Sequence, residues 1–112
     1  MTPIIWKAAA AWAAAAMLGT TSSALAGGAT ELDEKVSTIV PMCAACHGID
    51  GVSSVGLYPN LAGQKPEYLA KQLEDFKAGR RKDTVMGPMA EPLDAAAIKA
   101  LAAHFGKMAA AR

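Results

Sequence analysis

Cys43-Ala44-Ala45-Cys46-His47 is the stretch of sequence around which the rest of the chain is arranged. It contains both cysteines of the protein and one of its two histidines. Two thiols three positions apart face the same side of a helical turn, and the histidine that follows can offer a neutral imidazole lone pair to a metal. C-x-x-C-H is the signal for covalent attachment of a c-type haem, whose vinyl groups take up the two thiols.

Other uses of such a cysteine pair must be weighed against haem attachment. A disulfide across two intervening residues is one, and a thioredoxin-like redox pair is another. The redox pair expects a βαβ context, and no strand pattern lies nearby. A structural zinc site wants four ligands, usually from two such pairs, and there is no second pair. The motif therefore favours one haem c attached through Cys43 and Cys46, with His47 under the iron.

The N-terminus has the three-part pattern of a secretory signal peptide. Lys7 supplies the positive charge, residues 8–18 are an apolar run, and Ala24-Leu25-Ala26 is a small-residue cleavage site. The run is too short for a comfortable membrane span. We expect residues 1–26 to be removed after Ala26, which leaves one domain at 27–112 in the periplasm. Export agrees with the cysteine content, because both thiols would become thioethers and no free thiol would remain in an oxidising compartment.

The charge of the chain argues against nucleic acid as a partner. The net charge is +1, and the first 26 residues hold one of the 11 basic residues and none of the 10 acidic ones. The remaining chain is therefore close to neutral, without the broad basic face that nucleic-acid binding requires. A domain this small has a thin core, which a haem would enlarge as a flat apolar body.

A first helix is predicted before the motif. We expect a loose start at 27–29 and a capping box formed by Thr30 and Asp33. Pro41 removes a backbone donor, so we expect the helix to end or bend there rather than continue to His47. Its apolar stripe is Leu32, Val36, Ile39 and Val40.

Two further helices are predicted after the motif. The second, about 66–78, begins at Pro66 and stops at Gly79. The last has Asp94 as its N-cap. Residues 48–64 and 80–89 read as loops that are rich in Gly and Pro. The two helices have apolar faces formed by Tyr68, Leu69, Leu73 and Phe76 on the second helix, and by Ile98, Leu101, Ala102 and Phe105 on the last.

No segment alternates as a strand would, so the predicted fold class is all-α. Three main helices are joined by long loops, and loops of this length are uncommon in a small domain unless they serve a purpose. Wrapping a covalently bound haem is such a purpose.

Residues spread over nearly the whole of 27–112 carry a resemblance to a known family. The sequence resembles the class I cytochromes c, and most closely the short single-haem proteins and half-domains of the cytochrome c4/c553 group. The residues that carry the resemblance are Cys43-Ala44-Ala45-Cys46-His47-Gly48, Asp50-Gly51, Pro59-Asn60-Leu61-Ala62-Gly63-Gln64, Tyr68-Leu69, Gln72-Leu73, Phe76-Lys77-Ala78-Gly79-Arg80, Met86, Met89, Leu93 and Ala102-Ala103-His104-Phe105.

The resemblance implies a set of site residues. His47 and Met86 would be the two axial ligands of the iron, with Met89 as the alternative methionine. The carbonyl of Pro59 would accept the proton on the far ring nitrogen of His47, and Leu61 would shape the haem wall together with Asn60 and Gly63. We expect Met42 to be buried packing, His104 to be a packing or surface residue, and Arg80-Arg81-Lys82 to be a solvated turn unless it pairs with haem propionates or a partner.

The resemblance also implies a function. The protein would be a soluble periplasmic carrier of single electrons and not an enzyme, with a dehydrogenase or cytochrome complex as donor and an oxidase or reductase as acceptor. An electron-accepting subunit bound to a dehydrogenase or terminal oxidase is the alternative. A haem with an open iron site for gas or peroxide is a third reading, which two axial protein ligands would exclude.

Overall fold

A computed structural model gives the fold of residues 24–112, in which four helices and no strand are found. These are α1 (Ala24–His47), α2 (Pro66–Lys77), α3 (Met86–Ala90) and α4 (Ala95–Gly106). The predicted all-α class with three main helices is confirmed. Most of the predicted signal peptide, including Lys7 and the apolar run at 8–18, lies outside the described residues. None of the helices within 24–112 is long and apolar enough to cross a membrane.

The predicted interruption of the first helix is wrong, because α1 runs through Pro41 to His47. Pro41 has no N–H to give to the carbonyl of Ser37, but both residues are exposed, so water can take its place. The predicted loose start at 27–29 and the start at Thr30 are also wrong, because these residues already lie within α1.

The two later helices begin and end where their capping residues predict. Pro66 is the first residue of α2, where its missing N–H has no partner to lose. Gly79 follows the end of α2 with φ +70°, and its N–H bonds the carbonyl of Phe76 at 3.1 Å. Asp94 is the N-cap of α4, and its carboxylate accepts the N–H of Ala97 at 2.8 Å.

The core lies where α4 packs against α1 and α2, while α3 packs against α2. An ion pair between Lys35 and Asp94 joins α1 to the start of α4. The buried cluster confirms most of the predicted stripes and consists of Val36, Val40, Leu69, Leu93, Ala97, Ile98, Leu101, Ala102 and Phe105.

Three local expectations are corrected by the structure. The segment 80–89 is not only loop, because α3 begins within it, and Pro88 falls in the first turn, where no backbone donor is needed. Met42 is 58% exposed rather than buried, and Tyr68 is 49% exposed although it belongs to the predicted apolar face of α2. Both side chains lie on helix faces turned away from the core.

Candidate haem site

The C-x-x-C-H motif forms the last turn of α1. Cys43 and Cys46 are both half-buried and stand three positions apart, which puts them on one side of the helix. His47 is the final residue of α1 and is only 7% exposed. The helix therefore presents two thiols and one imidazole at its end, as the sequence predicts.

The thiols are free, which bears on the alternatives to haem. Cys43 and Cys46 are not joined in a disulfide. Within the described part of the chain, no group of three or more His, Cys, Asp and Glu side chains comes together as a metal cluster would require. With no strand at 24–112 either, the zinc site and the thioredoxin-like pair have no structural support.

The surroundings of Cys43 favour a neutral sulfur. Its side chain packs against the hydrophobic core cluster. Burial raises the pKa of the Cys43 thiol above its ordinary value, although a hydrogen bond with the backbone opposes part of this effect. The apolar surroundings of Cys43 therefore suit a neutral sulfur such as that of a thioether.

The ring of His47 is fixed in one tautomer. Its Nδ1 atom lies 2.8 Å from the carbonyl oxygen of Pro59. A carbonyl can only accept, so Nδ1 donates its proton to Pro59, and the lone pair of the neutral ring lies on Nε2. The ring of Tyr58 stands edge-on to the imidazole, with 6.5 Å between ring centroids. A neutral imidazole held in this way, beside two free thiols, is the donor set that a covalently attached haem requires, so the residues present fit the group.

The loop at 48–64 brings Pro59 back to the end of α1. The carbonyl of Gly51 accepts two N–H groups from the far side of the loop, Leu61 at 2.8 Å and Ala62 at 3.0 Å. Gly48 allows the sharp turn out of α1 with φ +85°, and a Cβ atom at Gly48 would lie 2.0 Å from the carbonyl oxygen of Val52. The backbone of this loop, rather than a side chain, supplies the partner of His47.

The other residues predicted for the haem wall lie on the same loop. Leu61 is half-buried and packs against the core cluster. The side-chain oxygen of Asn60 accepts the N–H of Ser53 at 2.7 Å. Gly63 has φ +74° and faces Ala110 of the C-terminal segment. The loop thus links the motif to the core and to the end of the chain.

The two candidate methionines lie on α3. Met86 is its first residue and Met89 follows three positions later, so the two side chains share one side of the helix. Both are half-buried. The carboxylate of Asp83 accepts the N–H groups of Val85 and Met86, each at 2.8 Å, and these bonds lower the pKa of Asp83 below its ordinary value.

Two members of the basic trio are engaged within the chain. Arg80 pairs with Asp75 of α2 at 2.7 Å. The guanidinium of Arg81 lies 4.5 Å from the ring centroid of Phe76 and donates to Gln72 at 2.6 Å. A cavity of about 350 Å³ opens beside this turn, lined by Phe76, Gly79, Arg81, Lys82, Asp83, Thr84 and Gly87.

The second histidine is a packing residue of α4. The ring of His104 stands edge-on to that of Phe105, with 5.0 Å between centroids. Its Nε2 atom is buried and has no hydrogen-bond partner among residues 24–112.

Sequence reasoning missed two residues that organise the site. Ser53 bonds the carbonyl of Cys46 at 2.8 Å, and Asp83 holds the first turn of α3. An Asp just before the first turn of a helix can accept N–H groups that have no partner within the helix, so Asp83 could have been found. Nothing in the spacing of Ser53 distinguishes it from its neighbour Ser54.

Comparison with known proteins places the chain in a family. The family model described as Cytochrome c matches residues 34–108. This chain belongs to the cytochrome c family, and it is similar to cytochromes of the c4 type. It carries one haem c, attached covalently through Cys43 and Cys46.

Three known proteins show the extent of the similarity. Cytochrome c4 of Thiocapsa roseopersicina is 52% identical over 64 residues, which are 57% of this chain and 33% of that protein. Cytochrome c-554(548) of Halomonas halodenitrificans is 37% identical over 83 residues, 71% of this chain and 95% of that protein. The solved structure of thiosulfate dehydrogenase (TsdBA) from Marichromatium purpuratum superimposes with a TM-score of 0.56 at 46% identity, over 60% of this chain and 14% of that one. The chain thus spans about a third of the c4 relative and nearly all of the c-554(548) relative.

Proposed function

We propose that this protein is a single-haem c-type cytochrome that carries single electrons between redox proteins. The observation that carries the proposal is the fixed tautomer of His47, whose Nδ1 donates to Pro59 at 2.8 Å and leaves Nε2 free beside two unpaired thiols. When bound, haem supplies a one-electron couple between ferrous and ferric iron. The protein supplies the attachment, the axial ligands and the apolar surroundings.

His47 and Met86 are the proposed axial ligands. The thioether of methionine is soft and neutral, so a His/Met pair favours ferrous iron and raises the reduction potential. Support for Met86 comes from the two hydrogen bonds by which Asp83 fixes the backbone at this residue. With both residues bound to the iron, its two axial positions would be filled, and no open site would remain for gas or peroxide chemistry.

The partners are proposed to be redox proteins that dock beside the motif. Three apolar side chains on the segment after His47 project into solvent: Ile49 is 74% exposed, Val55 48% and Leu57 81%. Without its N-terminal 26 residues the chain is close to neutral, so long-range electrostatic steering is weak. Small apolar contacts of this kind suit the brief encounters of electron-transfer proteins.

A bound electron-accepting subunit is the second candidate. The similarity to a chain of thiosulfate dehydrogenase favours it, because the region like this protein makes up 14% of that longer chain. A permanent partner would bury the exposed apolar side chains at 49–57. Size-exclusion chromatography of the native protein separates the two candidates, since a carrier elutes alone and a subunit elutes with its enzyme.

The protein is proposed to act in the periplasm after removal of residues 1–26. The small-residue pattern Ala24-Leu25-Ala26 and the attachment of haem to both cysteines support export. N-terminal sequencing of the purified protein tests the site, with Gly27 expected as the first residue.

The visible spectrum of the exported protein in both redox states tests the proposed function. We expect a covalently bound haem with the ferric sulfur-to-iron charge-transfer band, which Met86→Ala abolishes and Met89→Ala retains. Loss of the band only in Met89→Ala would keep the function and move the ligand. A high-spin spectrum that shifts with carbon monoxide would show an open iron and overturn the carrier function.

A further inference from the structure

Ser53 makes hydrogen bonds from both its side chain and its backbone. Its Oγ lies 2.8 Å from the carbonyl oxygen of Cys46, and its N–H donates to the side-chain oxygen of Asn60 at 2.7 Å. Cys46 precedes His47, and Asn60 follows Pro59. Ser53 therefore contacts the neighbours of both partners in the His47–Pro59 hydrogen bond.

The hydroxyl proton of Ser53 has a clear destination. Oγ also lies 3.0 Å from the carbonyl oxygen of Val55, but a hydroxyl has only one proton. The carbonyl of Val55 already accepts the N–H of Tyr58 at 3.0 Å. Cys46 lies in the last turn of α1, where carbonyls have no N–H further along the helix. The shorter contact and the otherwise unpaired acceptor both assign the proton to Cys46, while the N–H of Val55 donates to Oγ at 3.1 Å.

These contacts close a ring. It runs from the carbonyl of Cys46 to the hydroxyl of Ser53, from the N–H of Ser53 to Asn60, and along the backbone to Pro59. The carbonyl of Pro59 then bonds His47, which is covalently joined to Cys46. The ring thus consists of three hydrogen bonds under 3 Å, joined by short covalent stretches of the chain. It holds the Pro59 carbonyl near the imidazole. If one of the other two hydrogen bonds is lost, this carbonyl becomes free to move away from His47.

We propose that Ser53 is a positioning residue that sets the strength of the His47–Pro59 hydrogen bond, and through it the reduction potential of the site. The second part of this inference rests on the proposed function, because it requires His47 to be an iron ligand. A strong bond from Nδ1 makes Nε2 a better donor, which favours ferric iron. Opening the ring weakens that bond and raises the potential.

Three serine variants test the inference. Ser53→Ala removes the hydroxyl, and Ser53→Thr keeps a hydroxyl at the same position. Ser54→Ala removes a hydroxyl from an exposed neighbour. The measurements are the reduction potential of the purified holoprotein and the solvent-exchange rate of the His47 Nδ1 proton by NMR. In Ser53→Ala we expect exchange to accelerate about fivefold, the factor for one neutral hydrogen bond, and the potential to rise. Ser53→Thr and Ser54→Ala should match the wild type.

Several outcomes would overturn the proposal. They are an unchanged exchange rate and potential in Ser53→Ala, an equal change in Ser54→Ala, and no recovery in Ser53→Thr. If Ser53→Ala does not accumulate as folded protein, Asn60→Ala opens the ring at its other link and must produce the same two changes. The exchange rate reports a bond within the protein, so it tests Ser53 even if the wild-type spectrum shows that His47/Met86 ligation is wrong.

Discussion

The carboxylate of Asp83 holds the backbone of Met86, accepting its N–H at 2.8 Å. The same oxygen accepts the N–H of Val85 at 2.8 Å. These two donors lie at the start of α3, where backbone N–H groups have no partner within the helix. The backbone from which the Met86 side chain extends is thus held by a residue three positions earlier in the sequence.

Replacing Asp83 should loosen Met86, the proposed methionine ligand. In Asp83→Ala we expect the ferric sulfur-to-iron charge-transfer band to weaken, because the first turn of α3 loses its acceptor. Asp83→Asn keeps a side-chain oxygen and should retain most of the band. Glu91→Ala, an exposed carboxylate beyond the end of α3, is the control. Equal spectra for Asp83→Ala and Glu91→Ala would show that Asp83 does not hold the proposed ligand Met86.

Adding a methyl group at Gly48 should displace the loop that brings Pro59 to His47. A Cβ atom there would lie 2.0 Å from the carbonyl oxygen of Val52, in a backbone conformation with φ +85°. The loop must shift, and Pro59 with it, so we expect Gly48→Ala to lower the yield of haem-loaded protein several-fold. Gly56→Ala is the matched control, because a Cβ atom at Gly56 meets nothing within 4 Å. Haem absorbance per polypeptide is the measurement.

The core should depend strongly on Leu101. This side chain is 2% exposed, and Leu101→Ala should lower the free energy of unfolding by about 2–5 kcal/mol through lost burial and a residual cavity. Leu57→Ala removes the same atoms from a side chain that is 81% exposed, and should change the free energy by less than about 0.5 kcal/mol. Denaturant titration of both variants checks the difference, which must vanish if the packing of α4 is incorrect.

Acid should weaken the fold partly through Asp75. Hydrogen bonds from Lys71, and then from Arg80, hold the pKa of Asp75 below its ordinary value. The stabilisation is therefore complete above about pH 4 and is lost as the pH falls through the lowered pKa.

The variant Asp75→Asn removes this titration. We expect it to unfold at a lower temperature than the wild type at pH 7 and to lose less on acidification to about pH 3. Glu74→Gln, an exposed neighbour on α2, should follow the wild type at both pH values. If the melting temperatures of Asp75→Asn and wild type fall by the same amount between pH 7 and about pH 3, the role assigned to Asp75 is wrong.

The parts of the fold that the sequence predicted well depend on local chemistry. Pro66 and Asp94 mark the starts of α2 and α4 because a missing donor and a capping carboxylate act within one turn. The motif at Cys43 is equally local. Such features need no knowledge of what packs against them.

The errors in prediction come from tertiary context. Pro41 was expected to interrupt α1, but its loss of one hydrogen bond falls on an exposed face, where water can supply the missing donor. Met42 was expected to be buried because it adjoins the motif, yet its position on the helix turns it outward. The role of Ser53 depends on a contact seven residues back with Cys46, which no periodicity reveals.

The pairing of α1 with α4 makes the surroundings of the haem motif depend on a distant part of the sequence. Val36 and Val40 of α1 share their core with Ile98, Leu101 and Phe105 of α4. The side chain of Cys43 packs against this same cluster. A substitution that loosens α4 therefore also exposes the first cysteine of the motif to water.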